Sequence, residues 1–295
     1  IKNIPVFAKK SITGGMSFRV VHILNQLLQE NHEIEYLFIQ KNLYRYTREK
    51  KRLSQNFFKN IIFFCERFVL LNMLKLPETI SDFIIGRYND LKKKRFKKSF
   101  YKNLTLQKID GDYFHVKRCL KKIIEKHKTK TKVVILKNIN SEEISKYEFD
   151  YLFVIGGSIL NEKTLMTARK NCLIAHNSYL PKLRGFGGGE IWAAINNDFD
   201  SLGYSIIKGN KKFDSGEILL QEKLKLKKKE SFDKLILRNF ELGTNLIIKS
   251  FEKLKSHSFK FKKQSDSKAT YIKRHPSKQE YNKGLENYEK ALKKL

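Results

Sequence analysis

The chain has 295 residues, 41% of them hydrophobic, which is enough for one large α/β core with an appendage. Its three cysteines, Cys65, Cys119 and Cys172, lie too far apart for a disulfide framework or a zinc set and fit a reducing cytoplasm, and residues 1–10 lack the make-up of a secretory leader. The formal net charge of +31 reads either as a polyanion partner (nucleic acid or an anionic membrane surface) or as compositional drift; nucleic acid is not favoured, since lysine far outnumbers arginine and no nucleic-acid module accompanies the charge.

Taken in order, the chain opens with a strand expected over residues 4–8 (IPVFA). Gly14 and Gly15 then lead into a helix whose apolar residues Val20, Val21, Leu24, Leu27 and Leu28 recur at helical spacing. A glycine turn before a helix N-terminus offers free backbone N–H groups to an anion, and an ordinary tight turn has the same sequence. A second strand, EIEYLFIQ, completes a strand-helix-strand opening. Residues 41–128 read as an insertion of amphipathic helices, around 53–74, 80–100 and 116–126, rich in Lys, Arg, Phe and Tyr. Its most apolar part is interrupted by Glu66 and Arg67, so no membrane span is expected.

From Lys132 the pattern is regular: strand KVVILK, a short helix over 141–147, strand DYLFVIGG, a helix over 162–170, and a strand ending at His176. β-Branched strands alternating with helices imply a mostly parallel sheet with helices on both faces. Gly156-Gly157 and His176 end neighbouring strands and so belong to the edge where open α/β sheets bind ligands. After His176 the chain breaks into a loop with Asn177, Ser178, Pro181, Arg184 and glycines 185 and 187–189, before a helical pattern resumes at EIWAAI. An acidic turn, FDSGEILLQ, then feeds another strand. If the two strands are neighbours, His176 and Asp214 face one another across one crevice. Beyond Gln221, a charged hairpin or linker precedes a helix over 232–254 capped by Ser231. The lysine-rich remainder reads as peripheral and ends in a helix from Lys278 onward. This divides the chain into a domain over 1–224, with the insertion at about 41–128, and a helical extension over 225–295. His22, His32, His115, His127, His257 and His275 lack ligand spacing, so no metal site is expected.

The motifs HNSYLPKLRG, LGYSII and FDSGEILLQ, in this order and spacing, resemble the formyltransferase family that uses 10-formyltetrahydrofolate. The resemblance covers about residues 148–224. It implies a Rossmann-like fold, with His176 hydrogen-bonding the oxyanion that forms when an acceptor amine attacks the formyl carbon, and Asp214 holding that histidine charged and helping to move the amine's proton. It also places the folate pocket at Ile155, Gly156, Gly157, Ser158 and Leu160. Acceptor contacts fall by the same resemblance at Gly14, Gly15, Ser17, Ser178, Arg184 and Gly185. The family's asparagine, two residues before the histidine, is replaced here by Ile174, which cannot donate a hydrogen bond. TYIKRHP is similar to a Tyr-x-x-[KR]-x-Pro segment of sugar N-formyltransferases, which points to an amino sugar nucleotide as acceptor and, by analogy, to a homodimer. Three other readings stay open beside this one: a protein acting on tRNA as methionyl-tRNA formyltransferases do, a relative that binds ligand without transferring formyl, and a polyanion binder.

Overall fold

The protein, described here from a computed structural model, is defined over residues 9–15, 18–40, 113–136, 138–156, 159–185, 188–255, 259–267, 269–274 and 276–295. The strand expected over 4–8, the helices expected over 53–74 and 80–100, and Ser17, Gly157 and Ser158 lie outside these described residues.

The elements run β1 (Lys10–Gly15), α1 (Phe18–Gln29), β2 (Tyr36–Gln40), α2 (Tyr113–Lys126), β3 (Lys132–Leu136), a 3-10 turn (Glu142–Lys146), β4 (Tyr151–Ile155), α3 (Glu162–Leu165), β5 (Asn171–His176) and β6 (Leu183–Gly185). They continue with α4 (Gly189–Ile195), a 3-10 turn (Phe199–Ser201), β7 (Gly203–Lys208), β8 (Ile218–Lys223), α5 (Phe232–Lys255), β9 (Thr270–Ile272) and α6 (Lys278–Lys293). Among the described residues seven strands form one sheet in the order β3-β2-β1-β4-β5-β7-β8, parallel through β5, after which β7 and β8 join antiparallel. Strand order reverses direction between β1 and β4, so their C-terminal ends flank the crevice in which open α/β sheets bind ligands.

Strand alternation explains how the sheet is covered. In β4, Tyr151, Phe153 and Ile155 enter a core shared with α1 and α5, whereas Leu152 and Val154 face Phe149, Ile144 and Leu136 on the other side. A third cluster joins α4 (Ile191, Trp192) to Leu235 of α5 and Tyr288 of α6. Among the described residues no helix is long and apolar enough to cross a membrane.

Four expectations change. Gly14 and Gly15 are the last residues of a strand rather than a turn, pairing with Ile39 and Gln40 of β2. Gly14 is needed for close approach, because a Cβ there would lie 2.6 Å from Val20 Cγ2 of α1. The helix expected over 162–170 is one turn long: Asn161 caps it by accepting from the Thr164 amide, and the chain then turns so that Lys170 N–H reaches Asp150 O and starts β5. β5 and β8 are not neighbours, since β7 lies between them. The tail, expected at the periphery, supplies β9, which pairs in parallel with β6, and α6, which packs on α4 and buries Tyr288.

Candidate active site

His176 is the last residue of β5 and is 8% exposed. Its Nε2 lies 2.9 Å from Leu183 O, and a carbonyl only accepts, so Nε2 carries a proton in this contact. Nδ1 faces Oδ2 of Asp214 at 3.5 Å, longer than a good hydrogen bond and within ion-pair range. Both ring nitrogens therefore look onto acceptors, and a doubly protonated imidazole serves the two at once. Leu183 O also accepts from Ser178 Oγ at 2.7 Å, so it keeps a donor if the imidazole turns toward a ligand.

Asp214 reaches this place from the loop between β7 and β8, with backbone in the left-handed region (φ 48), which Asp tolerates better than most residues. Its Oδ2 accepts the Gly185 N–H at 2.7 Å. Gly185 itself has φ 97, and a Cβ on it would lie 2.3 Å from Ile272 O, so glycine is the residue that lets β9 pair there.

Arg184 is fully buried, and its guanidinium is committed to the tail. Nη1 donates to Asp266 Oδ1 (2.6 Å) and Tyr271 OH (2.8 Å), and Nη2 to Gln264 Oε1 (3.0 Å) and Ser265 O (3.3 Å). Lys212 donates to the other oxygen of Asp266 at 2.6 Å, and its hydrogen bond, followed by that of Arg184, holds the Asp266 carboxyl below the ordinary carboxylate range. Ser178 is buried, with its carbonyl receiving Ser205 Oγ at 2.8 Å.

At the neighbouring strand end, Ile155 is buried and Gly156 turns with φ 69; among the described residues a Cβ on Gly156 would meet nothing within 4 Å. Leu160 packs against the Leu136–Phe149 side of the sheet. Asn140, not singled out by sequence reasoning, holds this loop by donating to Ile159 O and accepting from the Asn161 amide.

Ile174 lies on the same face of β5 as His176, in register with Val154 and Ile207, and packs against the Leu180, Ile207 and Ile218 cluster. The adjacent amide, Asn177, is held by Glu190, whose other oxygen accepts from the fully buried Asn239. Glu190, Asn239, Gln264 and Asp266 carry no sequence signal of their own, while Tyr271 falls within the TYIKRHP segment. His32, isolated in sequence, comes within 4.8 Å of carboxylate oxygens of Glu30 and Glu252, but Lys255 and Lys10 beside the same imidazole oppose a cation there.

A mostly parallel sheet that presents a histidine-carboxylate pair at the end of a strand defines a Rossmann-like α/β domain. Residues 116–251, which contain both His176 and Asp214, match the family model described as formyl transferase. The chain is 33% identical over 158 residues to methionyl-tRNA formyltransferase of Lachnospira eligens, covering 52% of this chain and 50% of that protein. It is 38% identical over 115 residues to the enzyme of the same name from Thermotoga maritima, covering 39% and 36%. The matched stretch thus spans half or less of these two curated relatives. Two solved structures share the fold over nearly the whole chain. The N-formyltransferase from Helicobacter canadensis, in complex with folinic acid and dTDP-3-aminofucose, aligns with a TM-score of 0.56 at 13% identity, covering 96% of this chain and 81% of that one. A 4-N formyltransferase from Francisella tularensis aligns with 0.52 at 12% identity, covering 95% and 87%.

Proposed function

We propose that this protein transfers a formyl group from 10-formyltetrahydrofolate to the amine of a nucleotide-linked amino sugar. The observation that carries the reading is the His176–Asp214 contact at 3.5 Å inside the segment matching the formyl transferase family. The donor, when bound, supplies an electrophilic formyl carbon. In this reading the space at Gly156, one strand from His176, takes a flat ring system, with Ile155 and Leu160 as neighbours in sequence. Gly157 and Ser158 belong to the same proposed wall.

His176 acts with both nitrogens protonated, Nδ1 toward Asp214 and Nε2 turning from Leu183 O toward the oxygen that gains charge as the amine attacks. Asp214 keeps the imidazole charged and takes part in removing the proton that the amine loses. In this reading Gly14, Gly15, Ser17 and Gly185 lie on the acceptor side of the crevice, whereas Arg184 and Ser178 shape its wall through the contacts described above. Ile174 removes one oxyanion donor, a loss that costs about 100-fold to 1000-fold in related catalytic settings. That observation favours a second reading, a relative that binds the donor and transfers formyl slowly or not at all.

The amino sugar is favoured over tRNA because the Helicobacter canadensis structure, in complex with folinic acid and dTDP-3-aminofucose, aligns over 96% of this chain and because TYIKRHP is similar to a segment of sugar N-formyltransferases. Incubation with 10-formyltetrahydrofolate and, separately, a panel of nucleotide-linked amino sugars or methionyl-tRNA, read by mass spectrometry, tests both points. A formylated sugar nucleotide is the expected product. Formylated methionyl-tRNA alone overturns the acceptor, and donor binding without product overturns transfer.

A further inference from the structure

We propose that Gln264, anchored by Arg184, is a positioning residue that sets Asp214 against His176, so that the C-terminal segment over 262–272 completes the site. The proposal rests on the reading that Asp214 acts through His176. Gln264 Nε2 donates to Asp214 O at 3.0 Å and to Gly216 O at 2.5 Å, straddling the left-handed turn that aims the Asp214 side chain. Its Oε1 accepts from Arg184 Nη2 at 3.0 Å. The residue after Arg184 is Gly185, whose N–H donates to Asp214 Oδ2. Asp214 is thus held at its carbonyl and at its carboxylate by one hydrogen-bonded circuit that starts and ends on β6.

The segment carrying Gln264 is fixed on both sides of it. Lys262 exchanges two backbone hydrogen bonds of 2.8 Å with Ile218 at the start of β8, and Thr270–Ile272 pair with Leu183–Gly185. An outer arm runs from Lys212 through Asp266 to Arg184, but Lys212 is 57% exposed and Asp266 58%, so solvent screens it. The inner arm, built on the fully buried Arg184, is the one that holds geometry.

Two readouts test this. In Gln264→Leu, which removes donors and acceptor together, kcat falls about tenfold to a hundredfold, the range expected when a catalytic group is misplaced by about 1 Å, while KM for donor and acceptor stays within about threefold. Lys212→Ala, on the screened arm, stays within about twofold of the wild type in both constants. The second readout needs no turnover: the His176 ring-nitrogen NMR signals, assigned with His176→Gln, shift in Gln264→Leu toward their positions in Asp214→Asn. Gln264→Glu keeps an acceptor for Arg184 and loses both donors, so it moves the signals the same way and serves if the leucine variant does not fold. Wild-type protein without transfer activity speaks against the proposed reaction alone. Unshifted His176 signals in both Gln264 variants overturn the positioning role whether or not the protein is active.

Discussion

Nδ1 of His176 stands 3.5 Å from Oδ2 of Asp214 although β7 separates β5 from the strand that follows the aspartate. The pair is made by a loop that folds back and is tied to Gly185 and Gln264, so hydrogen bonds of that loop, and not pairing of β5 with β8, bring the two side chains together. Asp214→Asn keeps an oxygen for the Gly185 amide and loses the charge. Formyl transfer is expected to fall about 100-fold or more, the usual scale for an acid-base group, with melting temperature little changed. Steady-state kinetics beside a thermal melt check this, and a variant as active as the wild type would remove Asp214 from the mechanism.

Ile174→Asn restores an amide on the His176 face of β5. A gain of about tenfold or more in transfer is expected if the rest of the site is competent. The side chain is half-buried among Leu180, Ile207 and Ile218, so the change should cost about 1 to 3 kcal/mol in urea unfolding. No gain in rate favours the binding-only reading.

The buried His32 ring packs on Phe251 at 5.5 Å, and neither nitrogen has a hydrogen-bond partner among the described residues. Burial first, then Lys255 and Lys10, lower its pKa to about 4 from an ordinary 6.5. Between those values the unfolded chain binds a proton that the folded chain does not, so stability falls as pH drops from about 6.5 toward 4, by roughly 2 to 3 kcal/mol at most. Burial, followed by Lys255, likewise lowers Lys10 to about 8, so stability rises as pH increases from about 8 toward 10.5. Melting temperatures of wild type and His32→Leu should diverge between about pH 7.5 and 4.5, with the leucine variant flatter. Parallel curves would assign the acid loss to other groups.

Gly243 faces Tyr204, and a Cβ there would lie 2.4 Å from its ring. Alanine gains about 1 kcal/mol of helix propensity over glycine, while overpacking against a buried ring costs about 1 to 3 kcal/mol. Gly243→Ala is therefore expected to lower stability by roughly 1 kcal/mol or more in urea unfolding, against the propensity trend. A stabilised variant would mean that α5 can lift from β7 at little cost.

The parallel part of the sheet could be read from the chain because it rests on local signals, β-branched runs between short helical stretches, and the meeting of His176 with Asp214 was expected from short motifs in family-like order and spacing. Residues 132–176 show this, since their alternating strands emerge within a residue or two of the expected ends. What the sequence by itself could not decide was which distant segments meet. Gln264, Asp266 and Tyr271 lie 50 or more residues from Asp214 and about 80 from Arg184. Ordinary polar residues at such separations have no periodicity that marks them as partners. Their meeting is decided by the parallel pairing of β9 with β6, which tertiary packing alone creates, and the buried Nη1 and Nη2 of Arg184 then take those groups as acceptors, while its Nε has no partner among the described residues.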